Sequence, residues 1–134
     1  MELLPGTDRI SSLLTKFLDV QSRRAEVVAG NLANADTPGF AAKELDFEEF
    51  LDRAAKDALA PRQPVTGKGV AALLFEEGPR VVEQETGAVG LDGNNVDTGR
   101  EMSTLAEVGV KHLTGTQILQ LRLRTLRSAI REGR

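Results

Sequence analysis

From Met102 to Ile130 the chain steps through Met102, Leu105, Gly109, His112, Thr116, Leu119, Leu123, Leu126 and Ile130 in alternating threes and fours. That heptad phase is the pattern of a coiled-coil seam, and it commits the C-terminal quarter to one long helix with a narrow apolar face. Thr98-x-x-Glu101 reads as a capping box, so the expected helix covers 98–131. Gly109 and Gly115 each cost about 1 kcal/mol against alanine in a helix interior, which only close packing against a second helix offsets.

The N-terminus supplies that second helix. Ile10, Leu13, Leu14, Phe17, Leu18, Ala25, Val28, Ala29 and Leu32 recur at helical spacing, with Gln21 inside the stripe. Pro5-Gly6 reads as a turn, with Thr7 or Asp8 as cap, so the expected helix is 8–34 and about 40 Å long. Thr37-Pro38-Gly39 ends it, because the residue before a proline leaves the helical region and glycine supplies the positive φ of the turn. Asp46 and Glu49 resemble a second capping box, ahead of a shorter amphipathic helix over 46–59 that Ala60-Pro61 terminates. Residues 61–95 lose helical periodicity and gather glycine and proline. There 70–75 and 80–85 flank a Gly78-Pro79 turn, giving a loop or a weak β-hairpin.

The expected fold is therefore mainly α: long N- and C-terminal helices paired as an antiparallel coiled-coil-like hairpin, with a short helix and a Gly-rich insert between them. The parts are 1–40 (helix and elbow), 41–60 (short helix), 61–96 (insert) and 97–134 (C-terminal helix), together one structural domain.

Composition narrows what such a fold does. With no cysteine there is no disulfide, cysteine metal site or thiol nucleophile. The formal charge of −3, with five phenylalanines as the only aromatics, gives nucleic acid little to hold. Charge is segregated, however. Residues 111–134 carry Lys111, Arg122, Arg124, Arg127, Arg131 and Arg134 against Glu132, a net of +5. Residues 74–101 carry Glu76, Glu77, Glu83, Glu85, Asp92, Asp97 and Glu101 against Arg80 and Arg100, a net of −5. Such blocks pair either within a subunit or between subunits. No apolar run reaches the roughly 20 residues of a membrane span, and the start lacks the pattern of a cleavable signal. The default reading is a cytosolic protein.

No motif carries chemistry. His112 is the one histidine and lacks metal-ligand spacing with any carboxylate. Gly67-Lys68-Gly69 lacks the rest of a P-loop, and Gly87-x-x-Gly90-x-x-Gly93 is not a dinucleotide fingerprint. Counted from Asp92, the stretch through Asp97 lacks the sixth-position glycine and twelfth-position glutamate of a calcium loop, and reads as a turn feeding the next helix. No catalytic, cofactor-binding or metal-ligating residue is expected. The arginine row of the last helix reads as a solvated or acid-paired flank.

One stretch is specific. Asn31-Leu32-Ala33-Asn34-Ala35-Asp36-Thr37-Pro38-Gly39-Phe40 resembles the signature of the axial proteins of the bacterial flagellum. Asp92-Gly93-Asn94-Asn95-Val96-Asp97 with Arg100-Glu101-Met102, and Leu121 to Gly133, resemble the proximal-rod members of the basal-body rod family. So do Asp46-Phe47 and Phe50-Leu51. The resemblance covers roughly 8–60 and 91–133.

It implies a structural subunit of the flagellar drive shaft that transmits torque and is exported by the flagellar type III apparatus without a cleaved signal. The implied location is the periplasmic rod of the basal body. The implied partners are copies of itself, other rod subunits, the MS-ring and a rod adaptor protein, with no nucleic acid and no membrane insertion. The elbow residues Asn31, Leu32, Ala33, Asn34, Thr37, Pro38, Gly39 and Phe40 are then a reusable joint. Ile10, Leu14, Phe17, Met102, Leu105, Leu119, Leu123, Leu126 and Ile130 form the assembly seam, and Thr98 and Glu101 the helix cap. The alternatives are a cytosolic helical adaptor or chaperone of an export system, and a nucleic-acid or membrane-surface binder using the arginine row.

Overall fold

The computed structural model describes residues 5–59, 78–84 and 89–132. In chain order these form α1 (Pro5–Ala33), β1 (Lys43–Asp46), α2 (Glu48–Leu59), β2 (Arg80–Glu83) and α3 (Thr98–Glu132). The fold is mainly helical, with two long terminal helices packed together and a two-stranded sheet between them.

Helix α1 starts at Pro5 instead of after a Pro5-Gly6 turn. Proline suits a first helical position, where its missing N–H is not needed and its φ is already helical. The other end stops at Ala33, where Asn34 and Ala35 N–H donate to the carbonyls of Asn31 and Leu32 (3.1 and 3.3 Å). Asn34 Nδ2 folds back onto the Gly30 carbonyl (2.9 Å), closing one of the orphan acceptors of the last turn.

Both expected capping boxes are displaced. Asp46 is the last residue of β1, and the Phe47 carbonyl accepts the first bond of α2 from Leu51 N–H (2.9 Å). At α3 the cap is Asp97, not Thr98. Its carbonyl accepts Glu101 N–H (2.9 Å) and its Oδ1 accepts Arg100 N–H (3.1 Å). An aspartate is as good a cap as threonine, and Glu101 is thereby released for a contact elsewhere.

The strand expected near 80–85 exists as β2, but its partner is β1. The strands are antiparallel, with Lys43 opposite Glu83 and Asp46 opposite Arg80. Gln84 N–H to the Ala42 carbonyl (2.8 Å) extends the ladder. The other half of the expected hairpin, 70–75, lies outside the described residues. In β1 only Leu45 is buried.

Helices α1 and α3 run antiparallel: Gly115 lies against Phe17 and Leu18, and Asn31 meets Glu101. Helix α2 folds back along α1, with Arg24 over the Phe47 ring (4.7 Å) and Lys16 over Phe50 (5.8 Å). Among the described residues the buried apolar ones are Val20, Val28, Ala42, Leu45, Ala54 and Val108. Gln21 is 1% exposed among them, and its Oε1 has no hydrogen-bond partner among the described residues.

The two glycines of α3 therefore differ. A Cβ on Gly115 would stand 2.9 Å from Leu18 Cδ2 and 3.3 Å from the Phe17 ring, while one on Gly109 meets nothing within 4 Å. We expect Gly109→Ala to stabilise the subunit by about 0.5–1 kcal/mol, as at an exposed helix position. Gly115→Val forces the Phe17 ring aside and costs about 1–3 kcal/mol. Thermal unfolding followed by circular dichroism checks both signs.

Candidate functional site

The candidate site is the elbow, and it is built from asparagines. The chain has four, Asn31, Asn34, Asn94 and Asn95, and all four meet in one hydrogen-bonded knot. From the α1 side, Asn31 is 1% exposed. Its Nδ2 donates to the Lys43 carbonyl (2.7 Å) and to Glu101 Oε2 (3.0 Å), and its Oδ1 accepts Lys43 N–H (2.9 Å). Gln84 Nε2 donates to the other oxygen of Glu101 (3.3 Å). One side chain thus ties the end of α1 to the start of β1 and to the first turn of α3, and Glu101 brings in the end of β2.

Next comes the turn. The Thr37 carbonyl accepts Phe40 N–H (3.2 Å) across Pro38-Gly39, and Gly39 has φ of 71°. That is a type II turn, whose third position needs glycine. The segment from Asp92 to Val96 plugs into its concave side. Asn94 is buried, and its Nδ2 lies 3.0, 2.9 and 2.9 Å from the carbonyls of Asn34, Ala35 and Thr37. Asn94 Oδ1 accepts Val96 N–H (2.7 Å), Asn95 Oδ1 accepts Ala42 N–H (2.6 Å), and Gly39 N–H donates to the Asp92 carbonyl (2.9 Å). Gly93, at φ 82°, sits with its backbone against Gly39, where its Cβ would lie 3.5 Å from Gly39 Cα. Irregular backbone with carbonyls on three sides requires donors on short stems, which asparagine provides.

This arrangement is a joint. It fixes the angle at which α1, the sheet and α3 leave one another, and it contains no cluster of His, Cys, Asp and Glu able to hold a metal among the described residues. Leu32, Asn34 and Phe40 are half-buried in it, while Ala33, Thr37, Pro38 and Gly39 face solvent.

The seam residues do not form one stripe. At 100° per residue, the line of α3 that meets α1 runs through Glu101, Thr104, Val108, Gly115, Leu119, Arg122 and Leu126. The heptad read from Met102 shares Leu119 and Leu126 with it and is centred about 65° away. Leu119 and Leu126 join the α1 side and are half-buried, whereas Met102, Leu105, Leu123 and Ile130 stay exposed on one flank. Val110, Ile118 and Leu121 are exposed on the opposite flank. There Val110 and Ile118 line a groove of about 480 Å³ with Leu13, Leu14, Phe17 and Leu51. Ile10 is exposed on α1. A buried glutamate and a buried glycine, Glu101 and Gly115, occupy interior positions that a hydrophobicity pattern assigns to solvent. His112 is exposed. Also on α3, Lys111 hydrogen-bonds Glu107, and that bond, with the lysine charge, holds the Glu107 carboxyl below its ordinary range.

Three contributors escaped sequence reasoning: Gln84, the inward role of Glu101, and the pairing of Asn94 with the elbow. The signal that was present is the confinement of every asparagine to two short stretches about 60 residues apart.

The profile of the family described as Flagella basal body rod protein matches residues 18–40, the second half of α1 and the elbow through Phe40. The chain is similar to the flagellar basal body rod protein FlgB of Aeromonas hydrophila, 30% identical over 126 residues, covering 85% of this chain and 86% of the relative. It is 29% identical to FlgB of Yersinia enterocolitica over 130 residues, covering 87% and 89%. Against FlgB of Salmonella typhimurium it is 28% identical over 144 aligned positions, covering 94% and 98%.

Proposed function

The chain belongs to the FlgB family of flagellar basal body rod proteins, and from that premise we propose that it works as a load-bearing subunit of the proximal rod, packed among copies of itself and other rod subunits to transmit torque. One observation carries this reading: α3 leaves apolar residues exposed on two flanks. Beyond the line that meets α1, it exposes Met102, Leu105 and Leu123 on one flank and Val110, Ile118 and Leu121 on the other. Apolar residues exposed on two flanks of one helix mark surfaces for contact with other chains. Flanks that differ from each other make heterologous contacts, and these propagate into a tube instead of closing as a dimer.

In this reading the exposed seam residues, Ile10, Met102, Leu105, Leu123 and Ile130, are assembly contacts, and the elbow holds the angle at which each subunit enters the shaft. The MS-ring, a rod adaptor and the export apparatus are its neighbours at the base, and it reaches the periplasm through the type III route without a cleaved signal. An export adaptor that stays in the cytosol is the competing outcome. Peptide mass spectrometry of detergent-extracted hook–basal bodies, with whole-cell lysate as control, separates them. Enrichment beside ring and rod proteins is the expected result, and absence from the basal body with abundant cytosolic chain overturns it.

A further inference from the structure

The small sheet has one closed edge and one open edge. On the β1 side Asn31 Oδ1 accepts Lys43 N–H (2.9 Å) and Asn31 Nδ2 donates to the Lys43 carbonyl (2.7 Å), as a neighbouring strand would. The Lys43 peptide groups therefore point away from β2, and by alternation so do those of Leu45, which is buried. Glu83 lies opposite Lys43, and Val81 opposite Leu45. In an antiparallel ladder such pairs turn their N–H and C=O groups outward on both strands. On the β2 side no further strand pairs with them among the described residues. All four residues of β2 are exposed, Val81 by 54% and Val82 by 43%. An open edge with an apolar side chain on each face is a template for one more strand.

The surrounding side chains select which strand fits. Val81 shares a face with Leu45, while Val82 shares the other with Glu44, Asp46 and Arg80. Beside Val82 lies a pocket of about 260 Å³, lined also by Leu45, Phe47 and the carboxylates of Glu44, Asp46 and Glu48. All three carboxylates are exposed, and of the strand residues on that face only Arg80 is basic. Strand β2 also lies inside the acidic block 74–101. A lysine or arginine on an added strand would run its stem along Val82 and bring its head among these carboxylates. The residue next to it emerges on the other face, beside Val81, where an apolar side chain fits.

We propose that the open edge of β2 receives an extended segment of another protein, one that alternates apolar residues with arginine or lysine. Backbone hydrogen bonds to Val81 and Glu83 supply adhesion, and the carboxylates select a basic partner. The contact uses the sheet edge instead of the exposed flanks of α3, so it stands or falls separately from the rod reading.

The probe is a short synthetic peptide alternating valine and arginine, added to the purified full-length chain. Amide exchange followed by NMR should slow by about tenfold or more at Val81 and Glu83 when the peptide is present, with α1 and α3 unchanged. Val81→Pro removes an outward N–H that the β1 ladder does not use, and should weaken binding of the labelled peptide by about tenfold in fluorescence anisotropy. Glu44→Lys/Glu48→Lys should weaken it by about as much. Circular dichroism checks that both variants keep the wild-type helix content; should Val81→Pro lose it, exchange in the wild type decides. Val81 and Glu83 amides already protected before peptide is added would mean that the chain itself or a second copy covers this edge, and would overturn the proposal. So would binding without protection of those amides, equal wild-type affinity for a valine–glutamate peptide, or no binding at low salt.

Discussion

Asn31→Ala will destabilise the subunit by about 3–5 kcal/mol, a large part of what a domain of this size commonly has. The substitution removes little volume and no apolar contact of note. It leaves the buried Glu101 Oε2 without its 3.0 Å donor and the Lys43 peptide without partners for either its N–H or its carbonyl. Each orphaned group costs its desolvation penalty, and the carboxylate costs most. The neighbouring asparagine provides the contrast. Asn34 bonds the Gly30 carbonyl and the Thr37 hydroxyl at a half-buried position, so Asn34→Ala should cost about 1 kcal/mol. Urea unfolding of the purified chain measures both. A double-mutant cycle between Asn31→Ala and Glu101→Ala should show coupling above about 1 kcal/mol, because the two share a bond. If Asn31→Ala unfolds within about 1 kcal/mol of wild type, the elbow is not the joint described here.

That joint also explains what could and could not be read from residue order. The long helices were legible because their periodicity spans many turns, and Thr37-Pro38-Gly39 was legible because proline and glycine act locally. Strand β1 was not. Lys43-Glu44-Leu45-Asp46 offers one apolar residue, and it becomes a strand only because β2 arrives from 34 residues downstream to pair with it. The caps were misplaced by one residue because Asp97 and Thr98 are both competent, and the choice fell to the fold's need for Glu101 facing Asn31. The resemblance identified two stretches as specific but not that they touch. Asn94 donating into the elbow carbonyls is a tertiary fact with no local pattern behind it. The seam was found on the right helix and split by the structure into an inner line and an outer flank, since Glu101 and Gly115 hide the inner line from a hydrophobicity count.

Leu123→Asp should abolish swimming while leaving expression and subunit stability within about 0.5 kcal/mol of wild type, and the split seam is the reason. Leu123 is 44% exposed and lies about 80° around α3 from the Gly115 line, so an aspartate there points to water in the free subunit. In the assembly proposed above the same position is covered by a neighbour, where an unpaired carboxylate costs several kcal/mol at every copy. Leu126 is the internal control. It sits about 20° from the Gly115 line and is half-buried, so Leu126→Asp should lower the melting temperature of the purified chain before assembly is at issue. Leu123→Met keeps an apolar side chain of similar volume and should swim normally. Soft-agar motility, immunoblots of the chain and electron microscopy of extracted basal bodies read the three variants together. Normal rods in Leu123→Asp would mean that this flank faces solvent in the shaft, and the burden of assembly would then pass to Val110, Ile118 and Leu121 on the other side of the helix. Loss of folded protein in Leu123→Asp would mean instead that the flank is already packed within the subunit. The expected pattern, a stable subunit that builds no rod, requires a helix with one face spent on its own hairpin and another kept for its neighbours.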